Sequence, residues 1–245
     1  VLALDEMRQS QIDSLKASVV SLILVMIIFG LCYQETGRPI KATLCLLIGL
    51  GYTMGYTTLF VGHLNILTIA FFPMLIGLAI DFGVHLITRY EEELRDGATE
   101  SEAIKTSLIH TGQGVFTGCM TTAVAFYAMA FTDFKGVKEM GLITGGGMLL
   151  TLIPMMTILP ILLLRGRQNV LDHQVATQPC PRATIERLWL SRPKWTILLG
   201  IVICGLALSQ APKVRFDYNL LNMQTEDLPA VHYEKMLIDE AEISV

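Results

Sequence analysis

Asp81 is the residue in this sequence with the most chemistry to offer. It stands in Gly77-Leu78-Ala79-Ile80-Asp81-Phe82-Gly83-Val84-His85, and between Lys41 and Arg89 no other Asp, Glu, Lys or Arg occurs. A carboxylate at the centre of a membrane helix costs about 2.5–3.5 kcal/mol on insertion scales. Membrane helices do not usually carry that cost without a use. A carboxylate that gains and loses a proton inside the bilayer is a proton-relay group. The alternative is a structural Asp that binds a neighbouring helix. Gly77, Asp81, His85 and Thr88 follow at steps of four, four and three, so they share one helical stripe. Gly77 lets another backbone approach. His85 is of the type that takes or passes a proton near neutral pH, or that simply hydrogen-bonds at a helix end. The next apolar run offers Thr117, Thr121 and Thr122. Their hydroxyls either reach a neighbouring helix or bond back to their own.

Enzyme chemistry finds less support. An intramembrane aspartyl protease needs two carboxylates converging from different spans, and Asp133 falls at a helix end, too shallow to pair with Asp81. A metalloprotease of the His-Glu-x-x-His type is excluded by the spacing of His63, His85, His110, His173 and His232. Gly145-Gly146-Gly147 lies inside an apolar run rather than after a strand, so no phosphate loop is present. No catalytic residue, metal site or cofactor is expected. Net charge is −4, from 18 basic and 22 acidic residues, which gives no basic field for nucleic acid.

The elements that must hold Asp81 follow from composition. Of 245 residues, 52 % are hydrophobic and 16 % charged, against about 25 % charged in ordinary soluble domains. Too little charge exists to coat a soluble body, and the apolar content excludes disorder over most of the length. Four of the five cysteines sit in apolar runs and Cys180 lies alone in a polar loop, so a disulfide scaffold is unlike this chain. Charge is absent from 17–34, 42–80, 106–132, 140–164 and 195–212. A bilayer core needs about 20 helical residues. The run 42–80 is too long for one span, and Gly62-His63-Leu64-Asn65 supplies its break. Six spans result: 17–34, 42–61, 66–88, 111–132, 140–164 and 195–212. Asp81 is about 15 residues into its span, hence about 22 Å along it.

Basic residues orient the bundle. Arg38 and Lys41, then Arg89, Arg95 and Lys105, then the basic run between Arg165 and Lys194 fall on one side and outnumber those of the other. That side is expected to be cytoplasmic, with both chain ends outside. The expected organisation is a periplasmic lead-in over 1–16 and a five-helix bundle over 17–164. Within it, 89–110 forms a cytoplasmic amphipathic connection. A linker over 165–194, a sixth helix over 195–212 and a truncated periplasmic domain over 213–245 follow. In the connection, Gly97 closes one helix and Thr99 with Glu102 reads as a capping box opening a short surface helix. Glu91-Glu92-Glu93 reads as a solvated face. Beyond the last span, Val214, Phe216, Tyr218 and Leu220 alternate like a strand, and Pro229 opens a helix over about 230–241, giving the start of an α+β domain. Gly114 with Gly118 and Gly141 with Gly145 are helix-packing pairs, and Pro73, Pro154 and Pro160 are potential kink sites. The chain opens at Val1 without an initiator Met or a cleavage-site pattern, and it reads as part of a longer protein.

Gly77-x-x-x-Asp81 resembles the resistance-nodulation-division (RND) superfamily, and more narrowly the MMPL-type exporters. The stretch from Gly77 to Tyr90 and on to Gly97 looks like the end of that family's fourth helix with its cytoplasmic connection. His110-Thr111-Gly112 resembles the entry to the fifth. Phe216-Asp217-Tyr218-Asn219-Leu220-Leu221 resembles the opening of the second periplasmic domain. The resemblance implies an all-α polytopic half-bundle covering helices two to seven of twelve, including the region called a sterol-sensing domain in eukaryotic relatives. It implies proton-driven export of hydrophobic or lipid-like substrates from the inner membrane, with Asp81 at the family's helix-four relay position. Many members carry Asp-Asp or Asp-Tyr there; this chain has Asp81-Phe82. Protons, membrane lipids and the second half of the same protein, which would carry the helix-ten relay group, are the implied partners, and a homo-oligomer is compatible with them. A sterol- or lipid-sensing receptor and an accessory motor for protein export are the alternatives within the superfamily.

Overall fold

The computed structural model describes residues 2–33, 37–65, 67–165, 193–213 and 236. Among these the chain is helical throughout its ordered elements, with no strand. The helices are α1 (Leu2–Tyr33), α2 (Gly37–Phe60), α3 (Phe71–Arg95), α4 (Glu100–Ala128), α5 (Lys135–Leu163) and α6 (Pro193–Gln210). Five of them are long and apolar enough to cross a membrane, the third counted with the short 3-10 turn Thr68–Ala70 that leads into it. This is the all-α polytopic bundle expected from the uncharged runs. The linker over 165–194 and the α+β segment over 213–245 lie almost wholly outside the described residues.

The described residues from 3 to 165 belong to one compact unit. Within it α5 is the hub, packed by α2, α4 and α3. Its Gly-rich stretch explains why. A side chain at Gly147 would meet Leu75 of α3 and Thr53 of α2 at 2.6 and 2.8 Å, and one at Gly146 would enter the ring of Tyr56. Only hydrogen at these positions lets α2 and α3 close on α5. Pro154 and Pro160 lie inside α5, which nevertheless runs unbroken to Leu163. α1 touches the unit lightly. Phe29 is buried, and Ser14 donates to the carbonyl of Ile69 at 2.9 Å. The lead-in expected over 1–16 is helical from Leu2 and continuous with the first span, making α1 about 48 Å long at 1.5 Å per residue. α6 belongs to a second unit. Its apolar part, Ile197–Gln210, is shorter than the other five spans.

The break in 42–80 falls where the sequence places it. α2 ends at Phe60, and Gly62 takes φ +78°, a conformation open to glycine. Asn65 then starts the next element. Its side-chain oxygen accepts from the N–H groups of Leu67 and Thr68 at 2.9 and 2.8 Å, satisfying donors that the helix start leaves free. At the far end of α3, Gly97 takes φ +92° and Thr99 with Glu102 forms the capping box. The box opens α4 itself. No separate surface helix exists over 89–110: residues 89–95 complete α3 and 100–110 are the first turns of α4. Nothing between Glu100 and Ala128 breaks the helix. Continuing an existing helix adds a hydrogen bond per residue without a new nucleus.

The acidic run also differs from its reading as a solvated face. Glu92 is exposed and pairs with Arg89. Glu91 is buried. Its carboxylate accepts from Arg38 Nη1 at 2.8 Å and from Arg95 Nη2 at 3.3 Å, while the Arg38 guanidinium lies 5.7 Å from the Tyr90 ring centre. With the Arg38 side chain 2 % exposed, this is an ion pair taken out of solvent, tying the start of α2 to the end of α3. A second buried carboxylate marks the opposite end of the unit. Glu139 of α5 accepts from Asn65 Nδ2 at 2.8 Å, with His63 Nε2 at 3.3 Å and Lys135 Nζ at 3.6 Å.

Candidate functional site

α3 is two-faced. Leu75, Ile76, Ala79, Ile80, Leu86 and Ile87 point into the bundle and are buried. The stripe Gly77, Asp81, His85 and Thr88 faces away from it and is exposed. The spacing that places these four on one line is therefore realised. Asp81 is the fourteenth residue of the 28-residue span Thr68–Arg95, at its midpoint. No helix of the described unit covers it. Among the described residues it makes neither an ion pair nor a side-chain hydrogen bond, so it does not anchor α3 to α2, α4 or α5.

What Asp81 faces is a groove of about 430 Å³ between α3 and α4. Leu78, Asp81, Phe82 and His85 form the α3 wall. The α4 wall is built from His110, Gly114, Gly118 and Thr122, four residues at steps of four, with Thr111 and Val115 beside them. Met148 of α5 lies at the floor. The two glycines make the α4 wall low: a side chain at either would meet nothing within 4 Å. A second depression of about 450 Å³, lined by Leu78, Thr121, Thr122, Ala125, Phe126 and Met129, shares Leu78 and Thr122 with the first. The surface between α3 and α4 is thus one apolar trough with three ionisable side chains at one end: Asp81, His85 and His110.

The threonines divide. Thr122 lines both depressions, Thr121 the second, and Thr117 neither. All three hydroxyls donate to their own helix, Thr117 to Gln113 at 2.9 Å and Thr121 and Thr122 to Gly118 at 3.0 and 2.8 Å. Their lone pairs alone remain for a neighbour. The glycines divide as well. Gly141 and Gly145 abut Phe126, Ala123 and Tyr127 of α4, whereas Gly77, Gly114 and Gly118 stand in open space beside the trough. His110 escaped the reading of the sequence as a site residue. It opens an apolar run rather than interrupting one, so its place at the helix entry gives it no chemistry of its own, and the step of four to Gly114, Gly118 and Thr122 is the signal that points to the groove.

A model of the MMPL family matches residues 1–210. The chain belongs to the MMPL family. Among curated relatives, the hopanoid transporter HpnN of Burkholderia multivorans is 30 % identical over 251 aligned residues, covering 100 % of this chain and 28 % of the relative. The hopanoid transporter HpnN of Rhodopseudomonas palustris is 25 % identical, over 86 % of this chain and 24 % of that protein. The sulfolipid-1 exporter MmpL8 of Mycobacterium tuberculosis is 27 % identical, over 80 % and 18 %. The chain thus spans less than a third of the length of these relatives. The resemblance read from Gly77-x-x-x-Asp81 and its surroundings is borne out at the level of the family.

Proposed function

We propose that the full-length protein is a transporter rather than an enzyme, exporting hydrophobic or lipid-like molecules from the inner membrane and driven by the proton-motive force through Asp81. The relatives named for hopanoid and sulfolipid transport support the substrate class. The observation that carries the relay is the position of Asp81. It sits at the midpoint of a membrane-length helix, on the one face of α3 that its own bundle leaves uncovered. A carboxylate kept there solely to hold the unit together would be bonded to it.

In this reading the end carrying Arg38, Arg95 and Arg165 is cytoplasmic and the end carrying His63 and Lys135 is outside. Protonation from outside neutralises Asp81 and removes the cost of bringing its face against apolar groups. The uncovered stripe then packs differently against whatever faces it. Release of the proton inward restores the charge and reverses the repacking. One proton crossing the membrane supplies about 2.3 kcal/mol per 100 mV, enough to bias two packings that differ by a few kcal/mol. Gly77, Gly114 and Gly118 leave room for that movement. The trough between α3 and α4 is the apolar surface beside which a lipid chain or another helix lies.

The test is Asp81→Asn in the full-length protein. Asparagine keeps the size and polarity and removes the titration. Export of a hopanoid from cells should fall to background while the variant still inserts and accumulates normally. Undiminished export would defeat the proposal. A lipid gradient in the wild type that survives a protonophore would instead support the lipid-sensing reading.

A further inference from the structure

We propose that His110, together with His85, forms the cytoplasmic exit of the relay, so that a proton leaving Asp81 passes to an imidazole before it reaches water. This rests on the relay reading of Asp81 and assigns the half of the path which that reading leaves open.

The levels of the three groups carry the proposal. α3 and α4 are joined by the four residues between Arg95 and Glu100, and the joint is fixed by Gly97 at positive φ and by the Thr99–Glu102 capping box. Distance along each helix from that joint is therefore a common scale. His85 is ten residues before Arg95 and His110 ten residues after Glu100, so both stand about 15 Å from the joint at 1.5 Å per residue. Asp81 is one turn deeper, about 6 Å further from the joint. The two imidazoles thus flank the groove at one height, between the carboxylate and the charged end of the pair. All three line the groove and are exposed, and among the described residues they are its ionisable lining groups.

Below the histidines the surroundings turn polar. Arg89, one turn beyond His85, is held by Glu92 and Glu93, and Lys105 is exposed on α4. From α5 only Met148 reaches the groove. An imidazole at this height therefore receives a proton from the apolar side and gives it up to the wet side. The step balances simply. The O–H of Asp81 breaks and an N–H forms on a neutral imidazole. Its imidazolium loses a proton to cytoplasmic water, and Asp81 returns to carboxylate. Histidine is the side chain whose ordinary charge change falls between about pH 5 and 8, so it can act in both halves of that exchange.

The test uses the full-length protein in vesicles of phosphatidylethanolamine and phosphatidylglycerol doped with a hopanoid, with a pH dye recording proton movement. Asp81→Asn, His110→Gln and His110→Ala are compared with wild type at varied pH on each face. Asp81→Asn should stop proton flux. His110→Gln should slow it by about 10²-fold or more, flatten its dependence on cytoplasmic-side pH and leave its dependence on outer pH intact. Free imidazole on the cytoplasmic side should restore His110→Ala, since Gly114 and Gly118 leave the groove open beside it. A wild-type rate and pH profile in His110→Gln, with Asp81→Asn dead, overturns the exit alone. A slowed His110→Ala that imidazole does not restore also overturns it, because His110 is then structural. Flux persisting in Asp81→Asn removes the relay itself and the exit with it.

Discussion

At the scale of single residues the described unit separates positions that look alike in sequence. Gly114 and Gly118 share the small-xxx-small spacing of Gly141 and Gly145, yet the first pair borders open space and the second abuts α4. Spacing identifies a stripe of small residues but carries no sign for the direction it faces. The same holds for Gly147, where a methyl group would meet side chains of both α2 and α3. Gly147→Ala should destabilise the purified protein by about 1–3 kcal/mol through overpacking. Gly118→Ala should leave stability unchanged or raise it by up to about 1 kcal/mol, since alanine suits a helix better than glycine. Thermal unfolding in detergent checks both. Equal effects from the two substitutions would mean that α5 is not the tightly packed hub. Asp81 was legible because a charge inside an uncharged run needs no partner to be noticed. His110 was not, since its meaning depends on lying at the level of His85 on another helix.

The helices themselves were largely legible, because bilayer thickness sets their length and charge marks their ends. The break at Gly62 and Asn65 and the capping box at Thr99 are local chemistry, so the sequence contains them whole. The buried carboxylates are not local. Glu91 meets Arg38 across 53 positions and Glu139 meets Asn65 across 74, and no periodicity in either segment announces the partner. Glu91 looked like one of three solvated acids for that reason. Its pairing yields a prediction for the α2–α3 junction. Glu91→Gln removes the buried carboxylate that Arg38 and Arg95 share and should cost about 3–5 kcal/mol. Adding Arg38→Met to that variant should recover most of the loss, because the buried guanidinium then leaves together with the carboxylate it faced. Chemical unfolding of the single and double variants measures it. A single variant within about 0.5 kcal/mol of wild type would show that the pair does not brace the junction.

For the whole molecule, the chain spans less than a third of the length of the relatives named above, and α3 exposes the face that carries Asp81. Among the described residues of the unit, one side of α3 is buried and the side with Asp81 is exposed. Orientation decides which way the proton runs. Reporter fusions should place the turn at Asp96 in the cytoplasm and the turn at Asp133 outside, and the reverse result would invert the path drawn from Asp81 to His110. Proton coupling through Asp81 is tested by substrate-dependent proton movement in vesicles holding the full-length protein, wild type beside Asp81→Asn. An imposed pH gradient should drive both proton entry and hopanoid movement in the wild type, and the single substitution should abolish both together. Hopanoid movement that continues in Asp81→Asn, with or without the gradient, would contradict that coupling.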